Sequence, residues 1–306
     1  MSDTAFTPAV LLTHADWQAR ETSHAERADA LTADWRARVQ RGEKHPIEDF
    51  LFTYYPVKPN HLRRWHPGAG VTLENAGELE RATWRWYRTD AIGSVDVDAA
   101  AFLAAKSASV NFIEKLLTRT AARVGQFGCF GLHEWAMVYR QGDHRHDVPL
   151  RLGQSGTDEV VESHRIGCSH FDAFRFFTPE AVPLNRLSPT RDNQPELEQP
   201  GCLHAGMDVY KWAIKLGPLV PGEVLLDAFD LARDIRWLDM RASPYDVSAW
   251  AGDPVAIETP EGKAEYVRQQ RAFADRSNAL RSRVVDAIRL ARTVADDEPI
   301  TRQLPG

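Results

Sequence analysis

The sequence predicts a mainly α protein: a single compact helical domain over residues 1–293 with a small β element near the middle of the chain, and a flexible tail over 294–306. Three observations predict it. Apolar residues recur at three, four and seven over several long stretches, stretches of strand-like alternation are short and few, and neither a fixed-period repeat nor a low-complexity linker divides the chain. With 306 residues, 43% of them hydrophobic and 26% charged, the chain has enough apolar material to bury a sizeable core.

Taken in order, residues 13–41 should form an amphipathic helix, with Trp17, His24, Ala28, Leu31, Trp35 and Val39 on one face and Gly42 as its stop. Prolines at 46, 56, 59 and 67 then permit only short helices between turns. The aromatics of that stretch read either as a packed core with Arg63 and Arg64 on its rim, or as a stacking surface for bases. Trp84-Arg85-Trp86-Tyr87-Arg88 alternates and suits a strand, or else a short helix. A long helix should start at Asp96 or Asp98, carry Phe102, Leu103, Val110, Ile113, Leu117 and Val124 as its stripe, and end at Gly125 or Gly128.

Residues 142–157 are polar and glycine-punctuated; their Asp143-His144-Arg145-His146-Asp147 tract reads as a solvated loop in preference to a metal site. Residues 158–177 alternate enough for one or two strands, or for a strand and a short helix. The prolines at 179, 183, 189, 195 and 200 mark a connection long enough to pack over a site. Three helices should follow: about 203–215; 222–241 with Val224, Ala228, Leu231, Ile235 and Leu238 inward; and Thr259 to about Arg292 through Val267, Phe273, Leu280, Val284 and Ile288.

The formal charge of −6 gives no global attraction to nucleic acid or to acidic membranes, so any nucleic-acid site would be a local basic patch. No run of about 18 apolar residues is present to span a bilayer. The apolar run Ala9–Leu12 has no basic leader, so no secretory signal is expected. Three cysteines do not make a disulfide framework and fit a reducing cytoplasm.

Chemistry-bearing residues concentrate in three segments that each pair a Gly-Cys step with a histidine and an acid. They are Gly128-Cys129-Phe130-Gly131-Leu132-His133-Glu134-Trp135, Gly167-Cys168-Ser169-His170-Phe171-Asp172, and Gly201-Cys202-Leu203-His204-Ala205-Gly206-Met207-Asp208. The segments are expected to meet in one pocket. On a helix His204 and Asp208 share a face, and on a strand so do His170 and Asp172. His133 and Glu134 are adjacent and should diverge, so only one need face the pocket.

Three chemistries compete for these residues. In a metal site, His133, His170 and His204 would hold one transition-metal ion with a carboxylate or thiolate, although no established ligand spacing occurs and buried packing cysteines explain the same residues. In a metal-free base-processing pocket, Glu134, Asp208 or Asp172, with His133, would hydrolyse a glycosidic bond. Trp135, Tyr139 and Phe174 would stack on the base, and His170, His204, Arg175 and Lys211 would complete its contacts; here the plain alternative is aromatics in the core and acids paired to Arg140 or Arg175. Nucleophilic catalysis by a cysteine would favour Cys202, which lies just before a helix.

Several longer phrases bear a likeness. Gly42–Pro46, Asp49–Tyr55, Leu62–Gly68, Gly128–Arg140, Ser169–Thr178, Glu198–Lys211, Leu238–Asp246 and Ile257–Pro260 resemble a bacterial family commonly labelled 3-methyladenine DNA glycosylase, over nearly the whole chain. The resemblance implies a cytoplasmic DNA-repair hydrolase that releases an alkylated purine from damaged DNA without a cofactor. It assigns no residue its role. Against it stand a metal-dependent enzyme acting on a small molecule, and a non-catalytic protein that binds a nucleobase-like ligand.

Overall fold

The structure, a computed structural model, describes residues 10–55, 57–142 and 148–297. The histidine-rich tract 143–147 and the last nine residues of the expected tail lie outside them. The described residues form a helical body carrying one small sheet.

Thr13 caps α1 (His14–Gln40) by accepting the Asp16 N–H, and Gly42 turns the chain out at φ +71°. Trp17, His24 and Ala28 are buried as their spacing requires, with Thr32 where Leu31 was expected; Val39 is exposed. Two one-turn helices, α2 (Phe50–Thr53) and α3 (Pro59–Leu62), lie between the prolines. Leu51, Tyr55, Leu62 and Trp65 are core residues there. Arg63 pairs with Asp29 at 2.9 Å and Arg64 lies over the Trp84 ring, so this segment is a packed aromatic core with its arginines on the rim.

The sheet has the order β1-β2-β4-β3, from β1 (Val10–Leu12), β2 (Val71–Leu73), β3 (Tyr87–Thr89) and β4 (Val95–Val97). β1 runs parallel to β2 with Val10 opposite Val71, and the other pairs are antiparallel, with Arg88 opposite Asp96. Leu12, Trp17, Trp65, Leu73 and Val95 close a small core behind it.

Asp98 caps α4 (Ala99–Ala122) through the Ala101 N–H. The one-turn α5 (Leu132–Ala136), α6 (Gly153–Ser163), α7 (Phe171–Phe174) and α8 (Gln194–Leu197) follow. The strand expected within 158–177 is not formed: α6 takes its first half, because Thr157, Val160 and Val161 recur at helical spacing and bury together. The remaining helices are α9 (Leu203–Leu216), α10 (Gly222–Arg241), the short α11 (Ser248–Ala251) and α12 (Pro260–Asp296), capped by Thr259. Helix α9 is buried on nearly every side between α10 and α12, and α12 packs on α4. The main core draws on residues from Ala28 to Ala291, and α9 runs through its middle.

Candidate functional site

The three Gly-Cys segments approach one another around the first half of α9, and each is aimed by a different local device. Phe130 and Gly131 are both left-handed, at φ +48° and +71°. A phenylalanine there is strained, and the turn it makes starts α5 at Leu132, which presents His133 and Glu134 inward. His170 caps α7 by accepting the Ala173 N–H at Nδ1, which places its proton on Nε2. The extended geometry expected to align His170 with Asp172 is therefore replaced by a cap and the first turn of a helix. Cys202 is the residue before α9, so His204 and Asp208 lie one turn apart on it.

The first cluster holds His133, Glu134, His204 and Asp239, with one ligand atom of each lying within 4.8 Å of all the others. All four are at least nine-tenths buried. His133 and Glu134 both take part, against the expectation that they diverge: neighbours on a helix are about 100° apart, and a ring and a flexible carboxylate can still reach one point. Asp239 and Arg236, three apart on α10, complete the group. Arg236 Nη1 donates to Glu134 Oε1 at 2.8 Å and to Asp239 Oδ2 at 3.1 Å. Glu134 is thus held in a buried ion pair.

Three polar atoms of this cluster are buried without a hydrogen-bond partner: His133 Nε2, His204 Nδ1 and Asp239 Oδ1. His133 Nε2 and Asp239 Oδ1 face each other as an ion pair at 3.1 Å, so His204 Nδ1 alone of the three has no polar partner at all. Burial alone would drive the His133 pKa down; the Asp239 charge, with the Cys129 thiol beside it, outweighs this and holds it well above the usual value. Burial, and then the neighbouring His133, drives His204 the other way, so it stays neutral with a free lone pair. Ligand atoms about 2.1 Å from one ion and about 90–110° apart stand about 3.0–3.4 Å from each other. The His133–Asp239 separation has that value. The 4.8 Å limit on the set is wider than this, so holding an ion would require its side chains to draw inward. Two imidazoles and two carboxylates at this spacing could hold one divalent transition-metal ion, with Arg236 against both carboxylates from outside.

His170 belongs to a second cluster. Its ring is 5.4 Å from that of His204, whereas His133 and His204 are at 4.3 Å edge to face. His170 Nε2 faces Asp208 at 3.3 Å and Glu198 at 3.4 Å. Asp208 also accepts from the Tyr55 hydroxyl at 3.0 Å and from Lys211 at 2.8 Å. Burial would raise the Asp208 pKa; the Lys211 charge and His170 overcome it and hold the carboxyl well below the ordinary range. Lys211 reaches outward to Asp172 at 2.6 Å, which Arg175 approaches at 3.4 Å. The expected three-histidine metal set therefore separates into His133 and His204 in one cluster and His170 in the other.

The remaining candidates are placed plainly. Trp135 is fully buried and donates from Nε1 to the Ala242 carbonyl, and the Tyr139 hydroxyl donates to Glu162, so both are packing residues away from any open slot. Phe174 is partly buried against Phe177. Cys202 and Cys168 have their thiols pushed up by burial, which removes the thiolate a nucleophile needs. From the proline-rich connection, Asn185 clamps both the N–H and the carbonyl of Cys168, and Glu198 at its end faces His170. Sequence reasoning missed Asp239, Arg236, Glu198 and Tyr55 as site residues. A legible signal existed for the first two: an acid and an arginine three apart within the inward stripe of a buried helix. No family model, curated protein or solved structure matches the chain.

Proposed function

We propose that the protein is a metal-dependent enzyme acting on a small molecule, with one transition-metal ion held by His133, Glu134, His204 and Asp239. The observation that carries this reading is four buried ligand atoms, one each on His133, Glu134, His204 and Asp239, within 4.8 Å of one another, with His204 Nδ1 left without a partner. Leaving such an atom unpaired costs about 1–3 kcal/mol in a core, and a bound ion would satisfy it while replacing the proton between His133 and Asp239. When bound, the ion supplies Lewis acidity and lowers the pKa of a coordinated water. Around it the chain's own residues orient and shield. Arg236 fixes the two carboxylates, and the closed body of α9, α10 and α12 keeps bulk water out. The test is elemental analysis of protein purified without a histidine tag. About one equivalent of a transition metal is expected, lost together in His133→Ala and His204→Ala; less than about half an equivalent sinks the reading.

The glycosylase reading is a second proposal. Besides the resemblance it is supported by Asp208, a carboxylate held ionised beside the aromatic rings of Tyr55 and Tyr210. In it Asp208 steadies the developing sugar cation, damaged DNA is the partner and no metal is needed. Incubation with alkylated duplex DNA tests it: release of 3-methyladenine, abolished in Asp208→Asn, is the expected result. Equal release by parent and variant removes Asp208 from the chemistry, and no release removes the activity. No described helix is long and apolar enough to cross a membrane. The three free cysteines support placing the protein in the reducing cytoplasm.

A further inference from the structure

The outer end of the second cluster carries more positive charge than its acids neutralise. Three cations meet on one carboxylate: Lys211 Nζ lies 2.6 Å, Arg175 Nε 3.4 Å and Arg191 Nη2 3.8 Å from the oxygens of Asp172. Lys215, one turn beyond Lys211 on α9, lies over the same Trp212 ring, the two ammonium groups being 5.3 and 4.7 Å from its centroid. Lys215 has no ion-pair partner among the described residues. Four cations thus gather around two acids, and Lys211 is already committed to both.

The geometry is that of a receptor and not of a random charged surface. Arg175 and Arg191 are about half exposed, whereas Lys211 is largely covered and marks the floor. Each arginine is held by an aromatic ring, Arg175 over Phe176 at 4.5 Å and Arg191 over Phe171 at 5.2 Å, so the guanidinium groups lose little freedom on binding. The lysine ammonium of Lys215 is itself destabilised by partial burial and by Lys211 and Arg191 beside it, a penalty that an arriving anion relieves. Beneath the patch, Asp172, Lys211, Asp208 and His170 make a continuous polar seam that ends against His204 of the metal cluster.

We propose that Arg191, Lys215 and Arg175, with Lys211 beneath them, bind the carboxylate or phosphate group of a small anionic molecule at the outer end of this seam. A small molecule fits better than a nucleic acid. The cations converge on one acid instead of running in a stripe along a backbone, and the body that carries them has a formal charge of −6. As the anionic handle of the substrate this deepens the metal-enzyme reading and rests on it; as a binding site it stands without the metal.

Calorimetric titration at low ionic strength tests it, with inorganic phosphate in one arm, succinate in a second and a short DNA duplex in a third, on chelator-treated protein. Saturable binding of phosphate or succinate is expected, and the arm that responds names the oxyanion. Arg191→Gln/Lys215→Gln, both exposed and outside the packed core, should fold normally by circular dichroism and bind roughly tenfold more weakly or worse, equivalent to one lost charged contact. Neither anion binding, or binding that the double variant leaves unchanged, overturns the proposal. Duplex binding that depends on the two residues while both small anions fail overturns it in favour of a nucleic-acid surface. Because metal has been removed throughout, none of these results depends on the fate of the metal reading, which elemental analysis decides.

Discussion

At His133 the proposed site would make opposite demands with and without its ion. Without an ion, a protonated His133 and Arg236 balance Glu134 and Asp239, and the cluster is a neutral buried network. An ion needs the lone pair that the proton occupies, so binding at neutral pH must expel it. Metal affinity is therefore expected to rise by up to about tenfold per pH unit while His133 remains protonated in the free protein, as a chelator-competition titration would show. Stability moves the other way. The folded His133 pKa lies above its unfolded value of about 6.5, so its contribution is fully present below that pH and is lost as pH rises through the folded value. Urea titrations of chelator-treated protein should show stability falling on the alkaline side of neutrality, and a flat profile there would remove the His133–Asp239 pair as its source. Arg236→Met should cost about 3–5 kcal/mol in the metal-free form, because it leaves Glu134 buried without a cation and Asp239 with His133 alone. The loss should shrink when metal is added; a loss that is the same with and without metal would deny the ion its place between the carboxylates.

At the scale of elements, α9 is what both clusters depend on. Gly206 lies midway between His204 and Asp208, where a β-carbon would stand 2.7 Å from Ser277 Oγ on α12 and 3.0 Å from Ile235 Cδ1 on α10. Gly206→Val should therefore push α9 away from both neighbours, destabilising the fold by about 1–3 kcal/mol and weakening metal binding with it, measured on one preparation by denaturation and by metal titration. Unchanged stability would mean that the three helices can separate freely. The long helices were legible because each repeats a 3.6-residue stripe between a cap and a stop, as with Thr13 to Gly42 or Thr259 onward. The short ones were not. Helices α5 and α7 have a single turn each and exist because a strained Phe130–Gly131 turn and the His170 cap hold them against the core. The meeting of the three Gly-Cys segments could be read from shared residue types, but the division of their histidines between two clusters could not. It depends on Asp239 and Glu198, acids that sit in stretches read as core or as connection, far along the chain from the histidines they face.

For the molecule as a whole, the ligands of the first cluster come from α5, α9 and α10, so an ion there ties together residues 133 to 239 through the centre of the main core. Such a tie acts on global unfolding and not merely on a local loop, because α9 cannot leave without breaking the packing of α10 and α12. Along the α1, α10 and α12 surfaces, Arg27 and Arg283 pair with Asp227 and Arg276 pairs with Asp234, which ties these helices together from outside. Thermal unfolding followed by far-ultraviolet circular dichroism should then show one transition that moves up when the ion is supplied. At free metal about a hundredfold above Kd the gain is about 2.7 kcal/mol, which raises the midpoint of a chain of this size by roughly 4 °C. The same metal should leave His133→Ala where it was, since that variant lacks both the ligand and the proton it carries. A rise of equal size in His133→Ala would place the ion elsewhere on the protein. Two transitions, only one of them sensitive to metal, would mean that the sheet and its small core around Trp17 and Trp65 unfold independently of the helices.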